Sequence, residues 1–406
     1  MEGGEGSSSN EGRFSVSKDD SWFSQFRNAS NPWMARYVYA LMFLASNLLA
    51  WAVRDYGRKA FRDMKNLTNC KGGHACLGAD GVLRASMGCF AFYIIMFLST
   101  TSTSKLNECR DSWHSGWWSV KIGLWVILSF ISFLVPSPIV HLYGGIAHFG
   151  AGVFLLVQLV SIISFISWLN DCCKSDKNAE RCYIHVMLLA TSAHVICIVG
   201  IILMYIWYVA DSSCMLNIFF ISWTLVLLQL MTSISLHPKV NAGFLTPGLM
   251  GLYVVFLCWC AIRSEPAEQR CNRKAEASNG KDWLAIISFV VALLTMVIAT
   301  FSTGIDSQCF QQFRKKDVPI DGDVPYGYGF FHFVFATGAM YFAMLLIGWN
   351  THHTIKKWTI DEGWTSAWVR IVNEWLAVCV YIWKVLAPIM LRSRQTTAEP
   401  AISISS

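Results

Sequence analysis

The sequence predicts an all-α integral membrane protein, with about ten transmembrane helices in two bundles bridged by a long oblique helix. Three observations carry that expectation. The chain is 54% hydrophobic and only 14% charged, with a mean hydropathy of +0.43, which excludes an ordinary soluble domain. Apolar runs long enough to span a bilayer recur ten times. The stretch Ile139 to Asn170 holds no Lys, Arg, Asp or Glu. As one helix those roughly 32 residues measure about 48 Å, against a hydrocarbon core of about 30 Å. Such a helix has to tilt, kink or run past one membrane face. Eighteen Trp and thirteen Tyr suit a chain with many membrane–water boundaries. The net charge of +6 is spread over loops, so nucleic-acid binding has little support.

Taken in order, residues 1–32 are polar and rich in Gly and Ser, which predicts a disordered segment. They contain no apolar core of a cleavable signal peptide, and Glu2 excludes the myristoylation pattern. The first spanning helix therefore serves as the insertion signal. The ten predicted spans are 33–53, 82–103, 117–136, 139–170, 183–209, 215–236, 244–262, 283–304, 328–350 and 367–391. Together they make a transmembrane domain over 33–392, followed by a disordered tail over 393–406. Ten spans put both termini on one side, taken as cytoplasmic, although the Lys/Arg bias between the faces is slight. Helices 1–4 and 5–10 are expected as separate bundles.

With that orientation Cys70, Cys76, Cys214 and Cys271 share the non-cytoplasmic side. An oxidising compartment there permits disulfides. Of three connectivities, the local pairs Cys70–Cys76 and Cys214–Cys271 are preferred. The sequon Asn66-Leu-Thr68 in the same loop is a glycosylation candidate. Zinc is the rival reading of Cys70, His74 and Cys76, but a fourth ligand is missing. No metal site is predicted.

The crossing stretch carries a stripe of small and polar residues. Gly144, Ala147, His148, Ala151, Gln158 and Ser161 fall within less than half the circumference of a helix. Small residues let another backbone approach, and Gln158 needs a partner away from hydrocarbon. Among intramembrane charges, Arg36, Arg84 and Lys121 lie within snorkelling reach of an interface. Arg370 and Glu374, at i and i+4, are expected to neutralise each other. Lys384 lies deeper and is the least easily dismissed. His332 opens the ninth helix among aromatic residues, and His148 lies nearer the middle of its span. No nucleophile–base pair, phosphate-cradling loop or ligand set is evident. The expectation is therefore no enzyme and no cofactor.

From Ser235 onward the chain resembles the serine incorporator (serinc) family. The resemblance is carried by Leu236-His-Pro-Lys-Val240, Leu252-Tyr, Cys258-Trp, Ser264-Glu-Pro266 and Cys271-Asn272. It continues in Tyr326-Gly-Tyr-Gly-Phe-Phe-His332-Phe, Trp364-Thr-Ser-Ala-Trp368-Val and Val385-Leu-Ala-Pro388. Arg84 and Gln158-Leu-Val160 align earlier in the chain. The resemblance implies ten helices in two subdomains, bridged by a crossing helix beside a lipid-binding groove. It also implies ATP-independent phospholipid scrambling, or assistance in placing serine into phosphatidylserine and sphingolipids. The implied partners are membrane phospholipids and sphingolipids, and lipid-biosynthetic enzymes; a homo-oligomer is compatible with it. The implied location is the plasma membrane or the endomembranes of the ER and Golgi. The chain departs from the family pattern at Ser164, where relatives commonly carry Asp, and Glu374 is an additional acid.

Two functional expectations follow. In the first, the chain moves lipids, with Gly144, His148, Gln158, Ser161 and Lys384 along the route and Arg84 drawing phosphate at its entrance. In the second, it is a non-catalytic carrier or scaffold that presents serine or lipid to biosynthetic enzymes. An ion-coupled transporter ranks last, because it wants paired acids at mid-membrane.

Overall fold

The computed structural model describes residues 32–57, 74–103, 109–175, 179–209, 214–240, 242–266, 282–305, 324–350 and 359–397. Eleven helices account for the secondary structure of these residues: α1 Pro32–Tyr56, α2 His74–Thr100, α3 Cys109–Ser115, α4 Trp118–Leu134, α5 Ser137–Ser175 and α6 Ala179–Tyr208. The series continues with α7 Met215–Leu236, α8 Leu245–Arg263, α9 Asp282–Ile305, α10 Tyr328–Ile347 and α11 Trp364–Thr397. Eight of them are long and apolar enough to cross a membrane. A ninth span forms if α3 and α4, bent by 67° at their junction, are taken together. Trp117 makes that bend, with a left-handed φ of 59°. In α9 the described apolar run, Phe289–Gly304, is shorter.

The predicted spans correspond one for one to the ten long helices, and α5 is a single unbroken helix of 39 residues, about 58 Å long. Two prolines set its start. Pro136 holds Val135 extended, with ψ at 137°, as a following proline demands. Pro138 then occupies the first turn, where its missing N–H is no loss.

The core is divided in two, and α5 belongs to both parts. Val140, Tyr143, Ala147, Ala151 and Phe154 join one buried cluster with residues of α1, α2, α9 and α10. Leu159, Ile163 and Ile166 join another with residues of α6, α7, α8 and α11. The grouping of helices 1–4 apart from 5–10 is thus corrected. α9 and α10 return to the first bundle, because α10 is buried almost all round and packs mainly on α2 and α5. Small residues allow that approach. A Cβ on Gly338 of α10 would stand 3.0 Å from Thr300 and 3.3 Å from Phe154.

Of the three charges expected to snorkel, Arg84 and Lys121 are instead buried and anchored by the protein. Arg84 is fully buried; its Nε donates to Asp80 at 2.7 Å and its Nη1 to the carbonyl of Phe133 at 3.0 Å and to that of Val135. Its Nη2 donates to Ser137 Oγ at 3.2 Å. This guanidinium ties α2 to the α4–α5 turn. Lys121, also fully buried, donates to the carbonyl of His114 at 2.7 Å and lies 4.3 Å from the Trp118 ring. Arg36 sits over the Trp33 and Tyr37 rings, at 4.4 and 4.8 Å.

Candidate functional site: the two ends of the crossing helix

In its first half the small-residue stripe of α5 is a packing face. Gly144, Ala147 and Ala151 are buried, and a Cβ on neighbouring Gly150 would run into Met340 of α10 at 1.9 Å. Tyr143 OH lies 2.8 Å from Ser86 Oγ, which in turn donates to the carbonyl of Ala339 at 2.9 Å. The tyrosine is therefore the donor in that pair.

His148 marks one end of the inter-bundle junction. It is half-buried, with Nδ1 2.8 Å from the carbonyl of Gly144 and Nε2 3.2 Å from that of Trp349. A neutral ring donates to only one of two carbonyls, so the two contacts compete. Lys384 marks the other end. Its Nζ donates to Ser167 Oγ at 2.6 Å, with the carbonyl of Ile163 at 3.5 Å. His148 and Ser167 are nineteen residues apart, about 28 Å along the axis and close to the thickness of a hydrocarbon core. Gln158 lies between them, half-buried.

These residues do not share one stripe. Ser167 follows Gln158 by nine residues, about half a turn round the helix. Lys384 therefore meets α5 on the side away from Gln158. Ser161 is turned inward, 6% exposed, and its Oγ has no hydrogen-bond partner. Arg84 lies away from any surface a headgroup reaches, with its donors occupied by protein. Of the candidate residues, then, His148, Gln158 and Lys384 line the junction, Gly144 and Ser161 are packed within it, and Arg84 belongs to a separate anchor.

The spacing of Arg370 and Glu374 misleads. Arg370 pairs instead with Asp361, in the segment before α11, through Nε and Nη2. Asp361 is held there by its own N–H, which donates to Leu345 O at 2.8 Å, and by Gly363 N–H donating to Ser264 O at 2.7 Å. Glu374 is 1% exposed and accepts from Thr224 Oγ1 at 2.8 Å, while its Oε2 has no partner. Beside Arg370 lies a small cavity of about 10 Å³, walled by Leu155, Tyr341, Trp349, Asp361, Arg370 and Asn373. Sequence reasoning missed Trp349, Asp361 and Asn373. Their only local signal was the Gly348-Trp349 step that ends α10, where Gly348 and Trp349 have φ of 59° and 60°.

At the opposite face a second polar cluster forms. His114 Nδ1 is 3.0 Å from His332 Nε2, and His114 Nε2 is 2.9 Å from Tyr326 OH. Tyr326 OH donates to the carbonyl of Pro32 at 3.0 Å. The tyrosine therefore accepts from His114 Nε2–H, and His114 Nδ1 accepts from His332 Nε2–H. The chain of bonds ties α3 and α10 to the start of α1.

Just beyond the α8 span, Glu265 is 2% exposed. Burial pushes its carboxyl up to about 7, with a hydrogen bond to Asn217 pulling the other way.

Among the cysteines, Cys214 is disulfide-bonded. Cys70, Cys271 and the sequon Asn66 lie outside the described residues, and Cys76 falls where no side chain is described. The connectivity and the glycosylation therefore remain proposals.

Known proteins give a consistent match. The family model described as "Serine incorporator (Serinc)" matches residues 19–321 and 312–394. A "Probable serine incorporator" of Dictyostelium discoideum is 27% identical over 395 residues, covering 88% of this chain and 94% of the relative. One of Nematostella vectensis is 26% identical, over 78% and 80%. "Serine incorporator 3" of Bos taurus is 24% identical, over 77% and 79%. With the family pattern spread along nearly all of an α-helical, multipass chain, the protein belongs to the serine incorporator family.

Proposed function

We propose that this protein moves phospholipids between bilayer leaflets without an energy source, along the junction where α5 passes from one bundle to the other. One observation carries the reading. Half-buried hydrophilic side chains, His148 at one end, Gln158 midway and Lys384 with Ser167 at the other, are distributed over about one hydrocarbon thickness of α5. Moving a headgroup through hydrocarbon is slow because its polar atoms lose water without replacement. Partners placed at both ends and the middle lower that barrier while the acyl tails stay in lipid. Because α5 divides its buried face between two clusters, the flanks of the junction are open to acyl chains: Phe149, Leu156 and Phe165 are 75%, 46% and 56% exposed.

Reconstitution in liposomes containing a fluorescent phospholipid tests the proposal. Quenching of the outer leaflet is expected to proceed past half of the label without ATP. Loss limited to the outer leaflet, as in protein-free vesicles, would count against it. The names of the relatives support a second reading, a carrier that presents serine to lipid-synthesising enzymes. Copurification with such enzymes, together with absent leaflet exchange, would favour that reading.

A further inference from the structure

A short segment before α11, residues 359–363, bonds to the first bundle on one side and to the second on the other. Toward the first, Thr359 O accepts from Arg54 Nη1 of α1 at 2.8 Å, and Asp361 N–H donates to Leu345 O of α10 at 2.8 Å. Ile360 packs against the same buried cluster. Toward the second, Asp361 Oδ2 accepts from Nε and Nη2 of Arg370 in α11, and Ser264 Oγ, just past α8, lies 3.4 Å away. Gly363 N–H donates to Ser264 O at 2.7 Å.

The two attachments differ in kind. The first combines apolar packing with bonds to main-chain groups. The second hangs chiefly on the Asp361 carboxylate, and the Arg370 side chain opposite is 20% exposed, within reach of water. Asp361 has φ of 58° and Gly363 of 135°. A left-handed φ is unfavourable for a residue with a Cβ, and it persists only where the surroundings hold it. Releasing Arg370 therefore frees Asp361 to relax, with Gly363 as the pivot at the start of α11. Parting the bundles here also relieves a local defect. The small cavity beneath the segment has room for about one water, and Trp349 of the first bundle and Asn373 of the second wall it. They are 8% and 4% exposed, and neither Trp349 Nε1–H nor Asn373 Oδ1 has a hydrogen-bond partner. Opening gives both groups to bulk water, which offsets part of the loss of the ion pair. We propose that residues 359–363 are a latch that holds the two bundles together at the Trp349 end of the junction, and that its release opens the junction to lipid. The second clause rests on the lipid-moving reading above. A closed majority and an open minority then share the protein, and traffic passes through the open state. His148, whose Nε2 lies 3.2 Å from Trp349 O, stands at the mouth that opens.

The test is hydrogen–deuterium exchange of the full chain in liposomes, read by mass spectrometry, beside leaflet exchange of a fluorescent phospholipid on the same preparation. Asp361→Asn keeps the size of the side chain and suits a left-handed φ, but removes the charge. Amide exchange in peptides covering 361–363 is expected to rise about tenfold, the factor for one charge-assisted hydrogen bond, with the amides of α2 and α10 unchanged. Leaflet exchange is expected to speed up by the same factor, because both rates follow the population of the minor open state. Asp361→Asn/Arg370→Gln, which strands no charge, is expected to do the same and serves if the single variant folds poorly. Unchanged amide exchange over 361–363 overturns the latch, and so does a rise spread over the whole chain. A local rise with leaflet exchange at the wild-type rate overturns its control of the junction. Leaflet exchange absent from wild type and variants alike removes the lipid reading, while the amides still decide the latch.

Discussion

Single residues of this protein are governed by burial first and by sequence neighbours second. Arg370 has an acid one helical turn ahead of it, yet it takes Asp361 from the preceding segment. An i, i+4 pair contributes only about 0.2–0.5 kcal/mol, so a carboxylate placed by backbone bonds to Leu345 and Ser264 wins readily. Spacing alone does not reveal that competitor. Arg84 illustrates the same limit, since its position near a helix end is as compatible with snorkelling as with the closed anchor observed. Removing it strands Asp80, which is 1% exposed. Arg84→Leu is expected to destabilise the protein by about 3–5 kcal/mol, read as lost yield and a lowered melting temperature. Asp80→Asn in the same chain is expected to restore part of that loss.

Glu265 supplies a pH dependence. Its folded pKa is raised to about 7, against about 4.3 for an exposed glutamate. Protonation therefore favours the folded state. The contribution is complete below about pH 4.3 and is lost as pH rises through about 7. Comparing melting temperatures of wild type and Glu265→Gln between pH 4 and pH 8 checks this. The difference is expected to grow in favour of the variant across that window and then level off.

Among the elements, the helices themselves were legible because each spanning run is apolar over a length that only a membrane helix needs. The length of 139–170 likewise foretold that α5 would pass through both bundles. The partnership of α10 was not legible. Its run is apolar throughout, so periodicity names no face, and what sends it to α2 is close fit among small and aromatic side chains. Close fit is testable at the α2–α4 contact. A Cβ on Gly88 would stand 2.9 Å from the Ser129 Cα and 3.2 Å from the Leu128 carbonyl. Gly88→Ala is expected to destabilise by about 1–3 kcal/mol through a forced separation of the helices. Gly145→Ala on α5 meets nothing within 4 Å and is expected to be neutral or slightly stabilising, since alanine favours helix by about 1 kcal/mol. Thermal unfolding in detergent separates the two outcomes.

As a whole molecule, the protein is two helical bundles joined by one strut, with hydrophilic groups where the strut changes partners. The residue types of the candidate route were visible in the sequence, but their arrangement was not. A helical wheel puts Gln158 and Ser161 in one stripe and knows nothing of Lys384, which reaches α5 from another helix on the other side. In the proposed transport, those groups on the two sides of the strut lower the barrier to a headgroup passing along it. Replacing two of them with apolar side chains of similar size removes the partners and keeps the packing. The most direct measurement is the rate of fluorescent-phospholipid exchange in liposomes, for wild type and for Gln158→Leu/Lys384→Leu at equal protein density. The account predicts exchange by the wild type and a rate at least about tenfold slower in the variant, from the loss of one charged hydrogen-bond partner alone. Equal rates, with both proteins folded, would contradict it.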